Sequence, residues 1–581
     1  MELLNFNEWV FKHFKVCVSD SLCNIFFQFE SSVPPHIYDF DTYQSWEYFY
    51  EHVIKNITRS NNKSEYDFLV DHLLVQNKGN ALVFVKHEFW IIASKISIQK
   101  MITNNQIVEV NEPIKITHLK NIKFYHKYSG SGYRPVVTNS KSDQLHKYKF
   151  EVCNIFLKQL IAFKKKSFPN PSKELHAAWL NHLKIKNRNR NCYFVKTDIK
   201  DAYGSIIHHK LKSILKDWCD GLEDDLILMS FGYKGKWGKM KTMKQFLNLI
   251  PSAGDKILVC KSGTEKNMHL SELISDIFHY IDNIYVAFSK KNYKLNKGLH
   301  QGGKLSAALC EIYYTSLDHN YLTRLSDFNK GDILLRAVDD YIFISQDRLK
   351  TNEFLEIMTK GIPEYGMEIQ SEKTVTNLNE FNKNDLASNS NIPFFGFNLD
   401  VKHGYITPCL SNYENINIKS TIAFNKLNKG ILMQKMSSII ALKLHPLLFD
   451  HTYQSVRILL QNIHCASCVM AIKFIATVKL LKLAEIMLEE EYLMSCIKKS
   501  VSAIALYVYR KGKKAIEYNA TKKMALKSFI LIFRRKKYNF KLLEMLQLKA
   551  SHLTVKSKRV DRYIKSVGKV LHPSLSYSLM S

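Results

Sequence analysis

Two adjacent aspartates, Asp339 and Asp340, interrupt an otherwise apolar, strand-forming run, "LLRAVDDYIFIS" (Leu334 to Ser345). Burying one unpaired carboxylate is costly, and a like-charged neighbour adds repulsion unless a cation or another positive group neutralises both. Leu334, Leu335, Ala337 and Val338 precede the pair, and Tyr341, Ile342, Phe343 and Ile344 follow it. Both flanks therefore read as short buried strands. The run predicts a β-hairpin with carboxylates at its turn and something positive beside them. An ordinary Asp-rich turn has similar text, because aspartate is a common turn residue, so a second site has to decide.

That second site is "YFVKTDIKDAYGSI", far upstream, where an apolar strand (Tyr193, Phe194, Val195) delivers Asp198 at its end and helical text resumes after Gly204 and Ser205. If the two strands are neighbours, Asp198, Asp339 and Asp340 make a two-metal site. Two Mg²⁺ ions about 3.5–4 Å apart would clamp the attacking and leaving oxygens of a phosphoryl displacement. Two further segments fit nucleotidyl transfer. In "KGLHQGGKLSAALCEIYY" (Lys297 to Tyr314) a glycine turn opens a helix, and backbone without side chains can lie close against a nucleotide. "GIPEYGMEIQSEKT" (Gly361 to Thr374) ends near Lys373, a lysine able to approach a triphosphate and protonate leaving pyrophosphate.

The partner class follows from charge. The 581-residue chain has 83 Lys and Arg against 53 Asp and Glu, a net charge of +30, which attracts polyanions: nucleic acid first, anionic membrane second. With 46% hydrophobic and 12% aromatic residues, a large folded core in several domains is expected. No apolar run of about eighteen residues stands out, so no spanning helix and no membrane are expected. The start "MELLNFNEWVFKHF" has no signal-peptide pattern, which predicts an intracellular protein. Eleven cysteines in no regular spacing predict reduced thiols. The cluster "HCASC" (His464 to Cys468) lacks a second pair at zinc spacing, so buried helix cysteines are expected there.

Along the chain, the first part is aromatic-rich and helical in pattern. Strand-like runs ("IKFYHKY", "NCYFVKTDI", "ILLRAV", "YIFIS", "FFGFNLD") then alternate with helical text ("LKSILKDWCD", "SAALCEIYYTSLDHNYLTRL"), the pattern of a mixed α/β layer. Beyond about residue 405 the text is helical, including "IKFIATVKLLKLAEIMLEEEYLMSCIKKSVSAIALYVY". "YRKGKK" and "FRRKKYNFK" interleave basic and aromatic residues and are candidates for nucleic-acid contact.

The order of these segments resembles the palm of reverse transcriptases, and in detail telomerase reverse transcriptase. "FVKTDIKDAY" resembles motif A, "GLHQGGKLSAALC" motif B, "LLRAVDDYIFIS" motif C, "GIPEYGMEIQSEKTV" motif D and "PFFGFNLD" the primer grip; "KFYHKYSGSGYRPVV" (Lys123 to Val137) resembles fingers motifs 1 and 2. The long stretch between Asp198 and Gly298 is similar to the fingers insertion of telomerases. "DFLVDHLLVQNKGNALVFVKHEFWIIASKISI" (Asp67 to Ile98) resembles the T motif that grips telomerase RNA.

The resemblance implies a right-hand α/β polymerase fold of fingers, palm and thumb. Residues 1–112 would be a short, mainly α-helical RNA-binding domain, 113–400 the fingers and palm, and 401–581 a helical thumb. It implies catalysis by Asp198, Asp339, Asp340 and Lys373, with two Mg²⁺ on the aspartates. It implies nucleotide contact by Lys127, Arg134, Gln301 and Gly302, with Tyr203 against the sugar; a primer grip at Phe394, Phe395 and Gly396; and RNA binding by Phe68, Lys86, Phe89 and Trp90.

The implied partners are a telomerase RNA, the single-stranded telomeric DNA 3′ end and deoxynucleoside triphosphates, at chromosome ends in the nucleus. The separate amino-terminal domain of most members has no room in this sequence. A mobile-element reverse transcriptase would bring endonuclease or RNase H text, and no segment is left to hold either. A non-catalytic nucleic-acid scaffold would lose a metal carboxylate, and all three are present.

Overall fold

The computed structural model describes residues 87–111 and 114–576 apart from short stretches, among them 127–132, 138–145, 250–259 and 379–389, together with a two-strand ladder, Val75–Gln76 against Leu82–Val83. The chain divides into two compact units: Ser94–Tyr125 with Tyr133–Asn389 form one, and Ser390–Ser581 belong to the other. These units and the three expected segments do not share boundaries. Phe68, Lys86 and Lys127 lie outside the described residues.

Helix α1 (His87–Thr103) carries Phe89 and Trp90 in its first turn, and from Ser94 onward it belongs to the first unit. Strands β1 (Ile107–Glu109), β2 (Leu119–His126) and β3 (Tyr133–Val137) and helices α2 (Lys147–Lys164) and α3 (Pro171–Ile185) follow. Then come β4 (Tyr193–Asp198), α4 (His208–Cys219), and the antiparallel pair β5 (Asp225–Lys234) and β6 (Met240–Phe246). After β7 (Lys266–His269) and α5 (Leu270–Asp282), strands β8 (Tyr285–Phe288) and β9 (Lys291–Leu295) join a five-stranded sheet of order β1-β9-β8-β2-β3.

Helix α6 (Ser306–Leu317), the hairpin β10 (Ile333–Ala337) and β11 (Asp340–Ser345), helix α7 (Arg348–Lys360) and the short β12 (Val375–Thr376) complete the unit. The functional sheet is four-stranded and antiparallel, of order β10-β11-β4-β12. Its central strands are buried almost without alternation. Val195, Tyr341, Ile342, Phe343 and Ile344 are all inaccessible, as runs covered on both faces must be. Helix α7 lies on β11 through stacked Phe343 and Phe354 rings, 5.0 Å apart, and starts where the Asp347 carboxylate accepts from the N–H groups of Leu349 and Lys350, a side-chain N-cap.

The stretch between Asp198 and Gly298 contains strands that pattern reading passes over. β5 sits between β7 and β6, and one buried side chain fastens this sheet to α2. The Gln159 amide donates to Phe246 O at 3.1 Å and accepts from Phe246 N–H at 2.6 Å. Replacing Gln159 by Leu strands both backbone groups in an apolar site. We expect a loss of about 2–3 kcal/mol, read as a lower urea midpoint at unchanged slope; an unchanged midpoint would mean the amide is dispensable.

The second unit begins with a three-stranded sheet, β13 (Asn391–Phe394), β14 (Phe397–Asp400) and β15 (Ile406–Pro408). Among the described residues six helices follow: α8 (Ile431–Lys443), α9 (Val456–Leu483), α10 (Glu490–Lys511), α11 (Tyr518–Arg535), α12 (Phe540–Ser551) and α13 (Lys558–Val567). The continuous helical text expected across Ile472 to Tyr509 is broken between α9 and α10, where Glu485 takes φ 61.

A second correction concerns the expected lack of a long apolar run. Val456–Lys482 is long and apolar enough to cross a bilayer, although 83% of its most apolar window is buried inside the protein. It is the central helix of the bundle, packed on α8 and α11. Its "HCASC" residues are packing groups: Cys465 and Cys468 are buried, and both His464 nitrogens are engaged, by Ser528 Oγ at 2.8 Å and Val570 O at 2.7 Å.

Candidate active site

Strand register does the first work. Asp340 at the start of β11 stands opposite Asp198 at the end of β4, and Ala337 pairs with Asp340 across the hairpin, leaving Val338 and Asp339 as a two-residue turn. Asp339 is tied back to the sheet by Ile199 N–H, which donates to its carbonyl at 2.9 Å. Val338 has φ 64, an uncommon conformation for a β-branched residue that costs on the order of 1–3 kcal/mol. Three carboxylates thus share one end of the sheet.

The positive charge required by the sequence is present as two lysines. Lys373 Nζ lies 2.6 Å from Asp198 Oδ2, and Lys196 Nζ lies 3.4 Å from Asp340 Oδ1. Among the described residues Asp339 makes no ion pair of its own. Burial pushes its carboxyl above the ordinary range and the charges of Asp198 and Asp340 push it further, against smaller opposing effects of its own backbone N–H and of Lys373. Among the described residues no group of three His, Cys, Asp or Glu side chains is gathered into a ready cage for a metal, because two of the three carboxylates turn to lysines. The donor chemistry still fits a hard cation: oxygen ligands only, crowded so that Asp339 is held short of a counter-charge.

Beneath the turn lies a buried polar cluster that sequence reading missed. The Arg336 guanidinium, 4% exposed, donates to Asp318 Oδ2 at 2.8 Å, to both Glu311 oxygens at 2.9 and 3.2 Å, to Thr315 Oγ1 at 3.1 Å and to Val338 O at 3.3 Å. Lys165 adds 2.8 Å to Glu311, and the Tyr341 hydroxyl donates to Asp318. Burial opposes the charge of Glu311, yet Arg336 and Lys165 hold its carboxyl below the ordinary range. One side chain thus joins the strained turn to α6 and the residue just beyond it.

Arg336→Met leaves the half-buried Glu311 and Asp318 without their fork-shaped partner, with only Lys165 and Tyr341 to answer them. We expect a loss of about 3–5 kcal/mol in chemical denaturation, only partly recovered by Arg336→Lys; a wild-type midpoint for Arg336→Met would make the cluster incidental.

One small cleft in the same unit brings together two of the nucleotide candidates, Tyr203 and Gln301. Tyr203, Gly298, Gln301, Pro135 and Val137 line it together, so β3, the strand that carries Arg134, forms one wall. The turn that presents Tyr203 is locked by Gln106, whose amide donates to Asp201 Oδ2 at 2.6 Å and to Gly204 O at 3.3 Å. Gly298, at φ 87, passes so close that an added Cβ would stand 2.7 Å from Gly204 Cα. Two backbone bonds seal the crossing, Gly298 N–H to Ile206 O at 2.7 Å and Leu299 N–H to Tyr203 O at 2.8 Å. Gly302, at φ 93, stands 3.7–3.8 Å from β3 by the same measure. Gln106 carried no sequence signal, since its partners come from distant text.

Phe394, Phe395 and Gly396 fall in the second unit. Phe394 is buried, while Phe395 (φ 49) and Gly396 (φ 81) form the β13–β14 turn with both residues left-handed, as a type I′ hairpin requires. Phe395 is 45% exposed at its tip.

Residues 261–399 match the family described as "Reverse transcriptase (RNA-dependent DNA polymerase)", a span that contains Asp339, Asp340 and Lys373. The protein named telomerase reverse transcriptase from Takifugu rubripes is 24% identical over 333 residues, covering 50% of this chain and 30% of that protein. Its Oryza sativa counterpart is 22% identical over 526 residues, 79% of this chain and 40% of that protein. The relatives of this chain are telomerase reverse transcriptases.

The fold agrees. A structure of telomerase from Candida albicans with a TWJ fragment of telomeric RNA superimposes with TM-score 0.62 at 15% identity, covering 88% of this chain and 76% of that one. Apo telomerase from Candida tropicalis gives 0.50 at 16% identity, covering 90% and 79%. The fold is that of these solved structures, and the sequence match spans less than a third of the length of the Takifugu telomerase protein.

Proposed function

We propose that this chain is the catalytic subunit of a telomerase, an RNA-directed DNA polymerase that extends chromosome 3′ ends in the nucleus by copying a template within a bound RNA. The observation that carries the reading is the pairing of Asp198 with Asp340, with Asp339 at the adjoining turn. Two Mg²⁺ ions held by Asp198, Asp339 and Asp340 would supply the chemistry that activates the primer 3′-hydroxyl and neutralises the triphosphate.

The remaining steps belong to the chain's own residues. Lys373, 51% exposed beside Asp198, is free enough to swing to the triphosphate and protonate the leaving group. Lys127 and Arg134 on the fingers, with Gln301 and Gly302, orient the deoxynucleotide. Phe395 and Gly396, next to Phe394, steady the primer. The template RNA, whose grip we assign to Phe68, Lys86, Phe89 and Trp90, stays bound while DNA product moves.

The test is extension of a DNA primer by the purified protein with its co-purifying RNA. Asp198→Asn and Asp339→Asn should each lower extension by about three orders of magnitude or more while RNA binding persists; near-normal extension by either would sink the assignment. The electrostatics give Asp339→Asn an opposite effect on stability. A carboxyl whose pKa is raised by folding binds protons more tightly in the folded state, so stability falls as pH climbs from the ordinary carboxylate range through the raised value. At pH 7 in chelator, Asp339→Asn should therefore melt about 1–2 °C higher than the parent; a lower melting temperature would contradict the crowding of charge.

Tyr203 is proposed as the gate against a ribose 2′-hydroxyl. Tyr203→Ala should raise ribonucleotide incorporation relative to deoxynucleotide by about tenfold or more, and Gln106→Ala should do so more weakly by loosening the turn. Unchanged sugar discrimination in Tyr203→Ala would remove the gate.

A further inference from the structure

Nucleotidyl transfer gives Lys373 a proton to deliver and the three aspartates a metal to hold, and it leaves Lys196 without a task. Lys196 stands inside β4, two residues before Asp198, so the two side chains leave the same face of the sheet. Its backbone is held on both sides, opposite Ile342 of β11 and Val375 of β12, and its neighbours Phe194, Val195 and Thr197 are buried. A lysine in such a strand gives up hydration and rotamer freedom. Packing alone would be served as well by an apolar residue, so the charge is what distinguishes the position: Nζ lies 3.4 Å from Asp340 Oδ1.

The two lysines at the carboxylates are mounted differently. Lys373 ends a single short turn, Ser371–Lys373, and its side chain is 51% exposed, so it can withdraw from Asp198 into solvent. The Lys196 side chain is 17% exposed and rooted in a central strand. Its ammonium can turn from Asp340 but stays within reach of the trio. When Lys373 withdraws, Lys196 is the lysine that remains beside the carboxylates. A cation fixed at an oxygen-donor site repels a divalent ion and engages one of its ligands at the same time.

We propose that Lys196 is a built-in competitor of the divalent cation: by engaging Asp340 it sets how much cation the three carboxylates need. The proposal rests on the reading of Asp198, Asp339 and Asp340 as the metal site. Its consequence is that the carboxylates alone hold the cation weakly and oxygens of the triphosphate complete the ligand set, as suits an ion bound through few carboxylates and substrate phosphates. Lys196 is a positioning residue, because it acts on the cation through Asp340.

The test is a titration of the full chain with Mn²⁺ in the absence of nucleotide, free Mn²⁺ being read from its electron paramagnetic resonance signal. Binding that survives in the Asp198→Asn, Asp339→Asn double variant is subtracted as background, which removes the contribution of any bound RNA. Lys196→Met should tighten the remaining, carboxylate-dependent binding by about tenfold, while Lys196→Arg, which keeps the charge, should stay within about twofold of the parent.

Melting supplies a readout that a merely structural role would not move. In chelator Lys196→Met should melt below the parent, because the carboxylates lose a counter-charge, and Mn²⁺ should then raise its melting temperature by more than it raises the parent's. A packing role predicts a lower melting temperature that Mn²⁺ does not recover. Parental or weaker Mn²⁺ affinity in Lys196→Met would overturn the proposal; should that variant not fold, Lys196→Gln decides by the same two measures. If the double variant binds Mn²⁺ as the parent does, the polymerase reading falls and this inference with it. If carboxylate-dependent binding is present and Lys196→Met leaves it unmoved, this inference alone falls.

Discussion

Mutual repulsion among three carboxylates at one end of a four-stranded sheet is the constraint that the first unit is organised to contain. Register alone forces it, since Asp198 and Asp340 are paired across β4 and β11. Apolar packing could hold the strands together but could not tolerate the charges. Containment comes from two layers. Lys373 and Lys196 answer the charges from above, and Arg336 fixes the turn from below through Glu311 and Asp318. Asp339, between the layers, keeps an unanswered charge.

The two layers differ in kind. The lysine pairs are single contacts, each with one partner open to solvent, so they can yield to another cation more readily. The arginine cluster is buried and bidentate, so it cannot yield without stranding its acids. A site that must accept and release charged ligands while its backbone stays still needs this division: exchangeable counter-charges on the solvent side and a fixed one within. The bend at Val338, held by the same guanidinium, is of a piece with it, because a strained turn persists only where its surroundings over-determine it.

Much of this was legible in the text of the chain. The strands ending at Asp198 and starting at Asp340 announce themselves by apolar runs, and the expectation of a positive neighbour follows from the cost of burying two acids. The supporting groups were not legible, for a common reason: their roles depend on partners far away in sequence. Arg336 is one polar residue in a strand until α6 brings Glu311 beside it. Gln106 is an ordinary glutamine until the turn at Asp201 closes on it. The break between α9 and α10 escaped notice because no glycine or proline marks it; Glu485 adopts a left-handed conformation for which acidic helical text gives no warning. The central helix hid for the opposite reason, its scattered charges disguising a long apolar window.

The crossing of Gly298 over Gly204 has a consequence for how such a chain can vary. Everything from α4 to β9 leaves the Tyr203 turn and returns to it at nearly the same point, with Leu299 bonded to Tyr203 and Gly298 to Ile206. A segment whose two ends are clasped together can gain or lose length at an entropic cost that grows only as the logarithm of its size. Changes of loop length within this stretch therefore leave the clasp in place, provided that two positions without side chains remain at it and that β8 and β9 stay paired with β2 and β1.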